Sequence, residues 1–150
     1  MKRNYKKLMR MALALCIAAM MFCSVGINAQ AAGFKKSFTK TVTLKGGQQC
    51  VMRMNVKSDT KVKVTISTAK KRKNMNIQAL IAGEYDGDPY HTNLDSKHKK
   101  GSFAVNVGKG TKNLWITNYG VGKIKVKVKV SGKGKVIKFT KKKTYSGDVG

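Results

Sequence analysis

Along most of the chain, polar and apolar residues alternate with a period of two, the signature of a half-buried β-strand rather than of a helix. The cleanest stretch is 124–130, where Ile124, Val126, Val128 and Val130 alternate with Lys125, Lys127 and Lys129. The same alternation predicts strands over 38–44, 49–57, 61–67, 75–82, 102–107 and 114–119. Their expected core sides include Val42 and Leu44, Cys50, Met52 and Met54, and Val62, Val64 and Ile66. Gly46-Gly47, Ser58-Asp59 and 108–110 are turn signals, and Gly120-Val121-Gly122 reads as a tight hairpin turn. Residues 69–74 read as a solvated basic loop. Residues 83–100 have no apolar period and hold Gly87, Pro89 and four of the six acids, so they read as the longest loop.

Seven or eight short strands at this spacing predict an all-β fold, a small antiparallel, jelly-roll-like β-sandwich. Val136, Ile137 and Phe139 are candidates for a further edge strand, and 141–150 reads as a frayed end.

The N-terminus follows a different rule. Lys2, Arg3, Lys6, Lys7 and Arg10 precede an uncharged, mostly apolar run from 11 to 27, and Ala29-Gln30-Ala31 follows. That order predicts a signal peptide over 1–31, cut after Ala31 or Ala32. The run is shorter than the ~20 apolar residues of a membrane-spanning helix, so no transmembrane segment is expected after cleavage. The expected organisation is a signal peptide (1–31), a linker (32–37), a sandwich domain (38–131) and a basic tail (132–150). Export also removes Cys16 and Cys23 and leaves Cys50 alone, so no internal disulfide is available. Packing must hold the fold, which suits bacterial export to an extracellular or wall-associated location.

Charge changes the picture most. The chain carries +26, and the part beyond residue 31 keeps 27 basic against six acidic residues, a net +21. Such a charge favours polyanionic partners and says nothing about fold. An anionic cell-wall polymer or polysaccharide is the expected partner. Nucleic acid is expected to bind only non-specifically, because Trp115 and Tyr119, the aromatic candidates for base stacking near a basic strand, adjoin no basic run. Only Arg53 and Arg72 are arginine among those 27, which points to diffuse attraction more than to forked phosphate recognition.

The order from Phe38 to Val130 resembles the bacterial pre-peptidase C-terminal domain, a small jelly-roll-like sandwich appended to secreted proteases. The resemblance rests on the entry strand into Gly46-Gly47, the paired strands 50–56 and 62–66, and Asn74-Met75-Asn76-Ile77-Gln78-Ala79-Leu80 before a polar loop. Ser102 to Val107 and Leu114-Trp115-Ile116-Thr117-Asn118-Tyr119-Gly120 complete it. It implies a fold similar to carbohydrate- and collagen-binding sandwiches, with no catalytic residues of its own.

Candidate sites follow. Lys123, Lys125, Lys127 and Lys129 share one face, each ~6.6–7 Å from the next, and Lys61 and Lys63 extend that face if their strand lies in the same sheet. The alternative is that these lysines only guard an edge against aggregation. Lys70, Lys71, Arg72 and Lys73 form a basic loop, with further basic runs at 97–100 and 141–143. Trp115, Tyr119, Tyr85 and Tyr90 are a candidate glycan platform, against the alternative that Trp115 is core. Glu84, Asp86 and Asp88 are candidate calcium ligands, the one cofactor the sequence raises. His91 and His98 match no closed zinc spacing.

Catalysis is not expected. Cys50 lies mid-strand among apolar neighbours, where a thiol is inert packing. The expected function is therefore a secreted binding module. A cationic antimicrobial or membrane-active effector and an extracellular structural or assembly protein are the alternatives.

Overall fold

The computed structural model describes residues 33–82 and 89–146, within one compact unit, Gly33–Gly150. The expected signal peptide and the last four residues lie outside the described residues.

Nine strands form two antiparallel sheets. They are β1 (Ser37–Leu44), β2 (Gln48–Val56), β3 (Thr60–Ser67), β4 (Asn76–Ala82), β5 (Pro89–Asp95), β6 (Lys100–Val107), β7 (Gly110–Asn118), β8 (Ile124–Gly132) and β9 (Ile137–Ser146). One sheet runs β1-β8-β3-β6 and the other β5-β4-β7-β2-β9. This is a β-sandwich, with no helix among the described residues. The inner faces bury Leu44, Val64, Ile66 and Val128 from the first sheet against Met52, Ile77, Leu114 and Ile116 from the second. Each such side chain contributes about 1.5–3 kcal/mol on leaving water.

Only β4 and β5 are joined within one sheet; every other connection crosses between the sheets. The turn at Gly120-Val121-Gly122 is therefore not a hairpin turn, because β7 and β8 lie in opposite sheets. Strands β2 and β3 are likewise in different sheets, not paired as expected. Alternation marks which residues face inward but does not encode the partner strand.

Two further differences concern strands with weak patterns. Part of the expected long loop is β5, paired with β4 from Asn76↔Asp95 to Ala82↔Pro89. Its inward residues are Tyr90, Thr92 and Leu94, only two of them apolar, which hides the period. Its proline is the first residue, where a missing N–H costs the ladder least.

The expected frayed end is the second half of β9, paired with β2 along its whole length. The register shifts between Arg53 and Met54, and the Thr140 hydroxyl donates to the Arg53 carbonyl at 2.9 Å. This bulge reverses the alternation. Ile137 and Phe139 face inward before it, and Lys142 and Thr144 lie opposite inward-facing Met52 and Cys50 after it. A single period of two therefore fails along β9 although the strand is continuous.

Candidate functional site

The outer face of the β1-β8-β3-β6 sheet carries the lysine ladder. Directly opposed residues of paired strands share a face, so the register defines the surface in rows. Lys125 is flanked by Thr43, Lys127 by Thr41 and Ser67, and Lys129 by Thr39 and Thr65. Lys63 sits between Ser131 and Ala104, and Lys61 opposite Asn106. Lys61 and Lys63 thus do lie on the ladder's sheet and face. Lys123, just before β8, is exposed. Lys100, from the 97–100 run, joins the face opposite Ser67.

No ladder lysine has another lysine directly opposite, since hydroxyl side chains separate them. That placement relieves the repulsion that like charges would feel across a strand pair. His98 and Asp95 form an ion pair at 3.0 Å on the side of the other sheet, and among the described residues no carboxylate pairs with a ladder lysine.

The basic loop meets the ladder at one end. A groove of about 500 Å³ is lined by cationic Lys70, Arg72, Lys125 and Lys127, by hydroxyl-bearing Thr41, Ser67 and Thr68, and by apolar Ala69 and Ile124. Lys71 and Lys73 of the same loop are exposed but do not line it. The loop is tied down at its C-terminal end, where Met75 N–H donates to the Arg72 carbonyl at 3.2 Å and Val121 N–H to the Asn74 carbonyl at 3.2 Å. Sequence reasoning placed the cations; it missed the three hydroxyls, of which only Thr41 had a signal, the threonines at alternate positions of β1, while Ser67 and Thr68 at the end of β3 had none.

Asn118 is a second residue that the sequence did not single out. It is 2% exposed. Its side-chain amide donates to the Gly122 carbonyl at 3.0 Å and the Leu44 carbonyl at 3.4 Å, and its oxygen accepts from Gly120 N–H at 3.0 Å. Its own carbonyl accepts from Gly47 N–H at 2.8 Å. One side chain therefore ties the β7–β8 crossing to the end of β1.

The aromatic candidates are not brought together. Trp115 is half-buried on the outer face of the second sheet, between Leu80 and Val51. Tyr90 lies on the inward side of β5 and packs against the core. Tyr119 is exposed just beyond β7. Tyr85 and the candidate calcium ligands Glu84, Asp86 and Asp88 lie outside the described residues.

Asp95 accepts from the backbone N–H groups of His98 and Lys97 at 2.7 and 2.8 Å, with the His98 ring beside it. These contacts, the His98 backbone bond first, hold its carboxyl down at about 2. Both residues are consumed in a turn between β5 and β6. Cys50 is fully buried, and desolvation pushes its thiol pKa up against the opposing effects of Thr144 and Lys142.

No protein-family model matches the sequence, and no curated protein matches it. Solved structures do match in shape. The pre-peptidase C-terminal domain of collagenase from Bacillus anthracis superposes with a TM-score of 0.50 at 18% identity, over 63% of this chain and 89% of that one. The chain resembles that domain in fold. A periplasmic inhibitor of g-type lysozyme from Aeromonas hydrophila matches with a TM-score of 0.46 at 10% identity, over 71% of this chain and 93% of its own. CBM35 from Cellvibrio japonicus matches with a TM-score of 0.45 at 16% identity, over 65% and 72%. The resemblance to the pre-peptidase C-terminal domain drawn from the order of strands thus agrees with the shape. Among the described residues no helix is long and apolar enough to cross a membrane.

Proposed function

We propose that this chain is an exported, non-catalytic binding module that attaches to an anionic polymer at a cell wall or other extracellular surface. The observation that carries this reading is the groove, which Lys70 and Arg72 from one loop and Lys125 and Lys127 from β8 line together with three hydroxyl-bearing residues, Ala69 and Ile124. Four cations around one concavity repel one another, so a polyanion that neutralises them gains on binding what the free protein loses to repulsion. The buried, desolvated thiol of Cys50 supports binding over nucleophilic catalysis.

The test is retention on purified cell wall, heparin and a neutral glycan across a salt series. Steep elution from the two anionic matrices is expected. Combining Lys125→Gln, Lys127→Gln and Arg72→Gln should flatten the log–log salt slope by about two units, from ~0.7 per neutralised charge on a single-stranded polymer. Retention only on the neutral glycan, indifferent to salt, would instead make Trp115 and its neighbours the site. Dye release from anionic vesicles would favour the membrane-active alternative.

A further inference from the structure

Taking the proposed binding face as its starting point, we infer that the ligand is a polyol-phosphate chain with three carbons between phosphates, lying extended along β8 with one end in the groove. The argument is one of register. Lys125, Lys127 and Lys129 recur every two residues, which is six backbone bonds and ~6.6–7 Å. A phosphodiester repeat bridged by three carbons also separates successive phosphorus atoms by six bonds, and so spans about 7 Å when extended. A five-carbon bridge makes eight bonds and about 9 Å, and loses step with the ladder within two repeats.

Lysine stems are flexible and tolerate some mismatch. The hydroxyls beside them are not. Thr39, Thr41 and Thr43 face Lys129, Lys127 and Lys125 across β1 with the same two-residue spacing. Their side chains are short and stiff at the first torsion. On the other flank Thr65 and Ser67 repeat the arrangement. Each ladder step is therefore one cation for a phosphate with fixed hydroxyls alongside for its ester or polyol oxygens.

The same face argues against nucleic acid. Its β1, β8, β3 and β6 positions are lysine, threonine, serine, alanine and asparagine, with no aromatic ring among them. Bases would find nothing to stack on.

The experiment uses protein expressed from the full chain and four probes of equal phosphate number: poly(glycerol phosphate), poly(ribitol phosphate), an oligonucleotide and its abasic counterpart. Binding is measured by calorimetry at two salt concentrations. The three-carbon polymer is expected to bind about tenfold tighter than the five-carbon one, with no gain from bases. Thr39→Val with Thr41→Val keeps the charge and suits a strand, and should erase that preference while leaving the salt slope unchanged. Equal affinity for the two polyol phosphates with the salt slope intact overturns the register and leaves the anion-binding reading standing. Preference for the base-bearing oligonucleotide overturns it in favour of nucleic acid. Failure of every probe to bind overturns the phosphate-chain inference, and loss of heparin and cell-wall retention as well overturns the anion-binding reading.

Discussion

Lys142 on β9 donates a 3.0 Å hydrogen bond from Nζ to the main-chain oxygen of Thr41 on β1. The two strands are edges of opposite sheets, so the bond fastens one side of the sandwich. Beside it the rings of Phe38 and Phe139 lie 5.3 Å apart at 52°, and Lys40 Nζ sits 4.5 Å from the Phe139 centroid. Thr41 also lines the cationic groove. The wall of the candidate site is thus anchored from behind by a strand of the other sheet.

That seam makes a stability prediction. Phe139→Ala should cost about 2 kcal/mol, since the ring is only half-buried, with about 0.5–1.5 kcal/mol of it coupled to Phe38. Lys142→Met should cost less, about 0.5–1 kcal/mol. Urea denaturation of the single and double variants measures both, and a Phe38–Phe139 coupling near zero would show that the tilted pair contributes only area.

Asn118 predicts a larger loss. Asn118→Ala removes the side-chain bonds to the buried Leu44 carbonyl, the half-buried Gly120 N–H and the exposed Gly122 carbonyl, which together hold the crossing. We expect about 2–3 kcal/mol of destabilisation. Amide exchange should quicken first around 118–122. Unchanged exchange there would mean that the crossing is held by backbone bonds alone.

Gly120 tests the same region by close approach. A Cβ there would overlap the Asn74 carbonyl and come within 2.7 Å of the Asn76 nitrogen, both of them backbone atoms that cannot swing aside. Gly120→Ala should lower the melting temperature clearly, whereas Gly33→Ala, with nothing within 4 Å, should leave it unchanged. Equal melting of the two variants would show that the 74–76 segment moves away freely.

Acid should act on Asp95. Its folded pKa of about 2 lies below the ordinary carboxylate value, so the unfolded chain binds the proton more readily. The ionised group therefore contributes stability above about pH 4, and that contribution disappears as pH falls towards 2. Carbon-detected titration of the carboxyl should give the low midpoint. Asp95→Asn should remove this part of the acid sensitivity, and a midpoint near 4 would show that the His98 and Lys97 bonds do not persist in solution.

Much of the fold is legible in the residues themselves. Alternation is a local property, because successive side chains on an extended backbone point to opposite sides. Hence Ile124 to Val130 reads as a strand with a lysine face, and the inward sets of β1, β2 and β3 are those expected. The sign of the charge is an equally local fact. Where alternation weakens, legibility stops. Strand β5 carries only Tyr90 and Leu94 inward as apolar groups, and β9 reverses its alternation at the bulge beside Thr140. Both are strands because a neighbour offers them a ladder, the preceding strand β4 for β5 and the distant β2 for β9.

The same division holds for the candidate site. Sequence alone determined that Lys125, Lys127 and Lys129 share a face and that Lys70 and Arg72 belong to a basic loop. Only the tertiary structure decided that β8 lies between β1 and β3, that threonine and serine therefore flank each lysine, and that the loop closes over the ladder's end. It also decided that Trp115 and Tyr90 lie on opposite sides of one sheet. Facing follows from bond geometry within one strand, whereas adjacency follows from which strands pair, and that is settled by burial of the whole core at once.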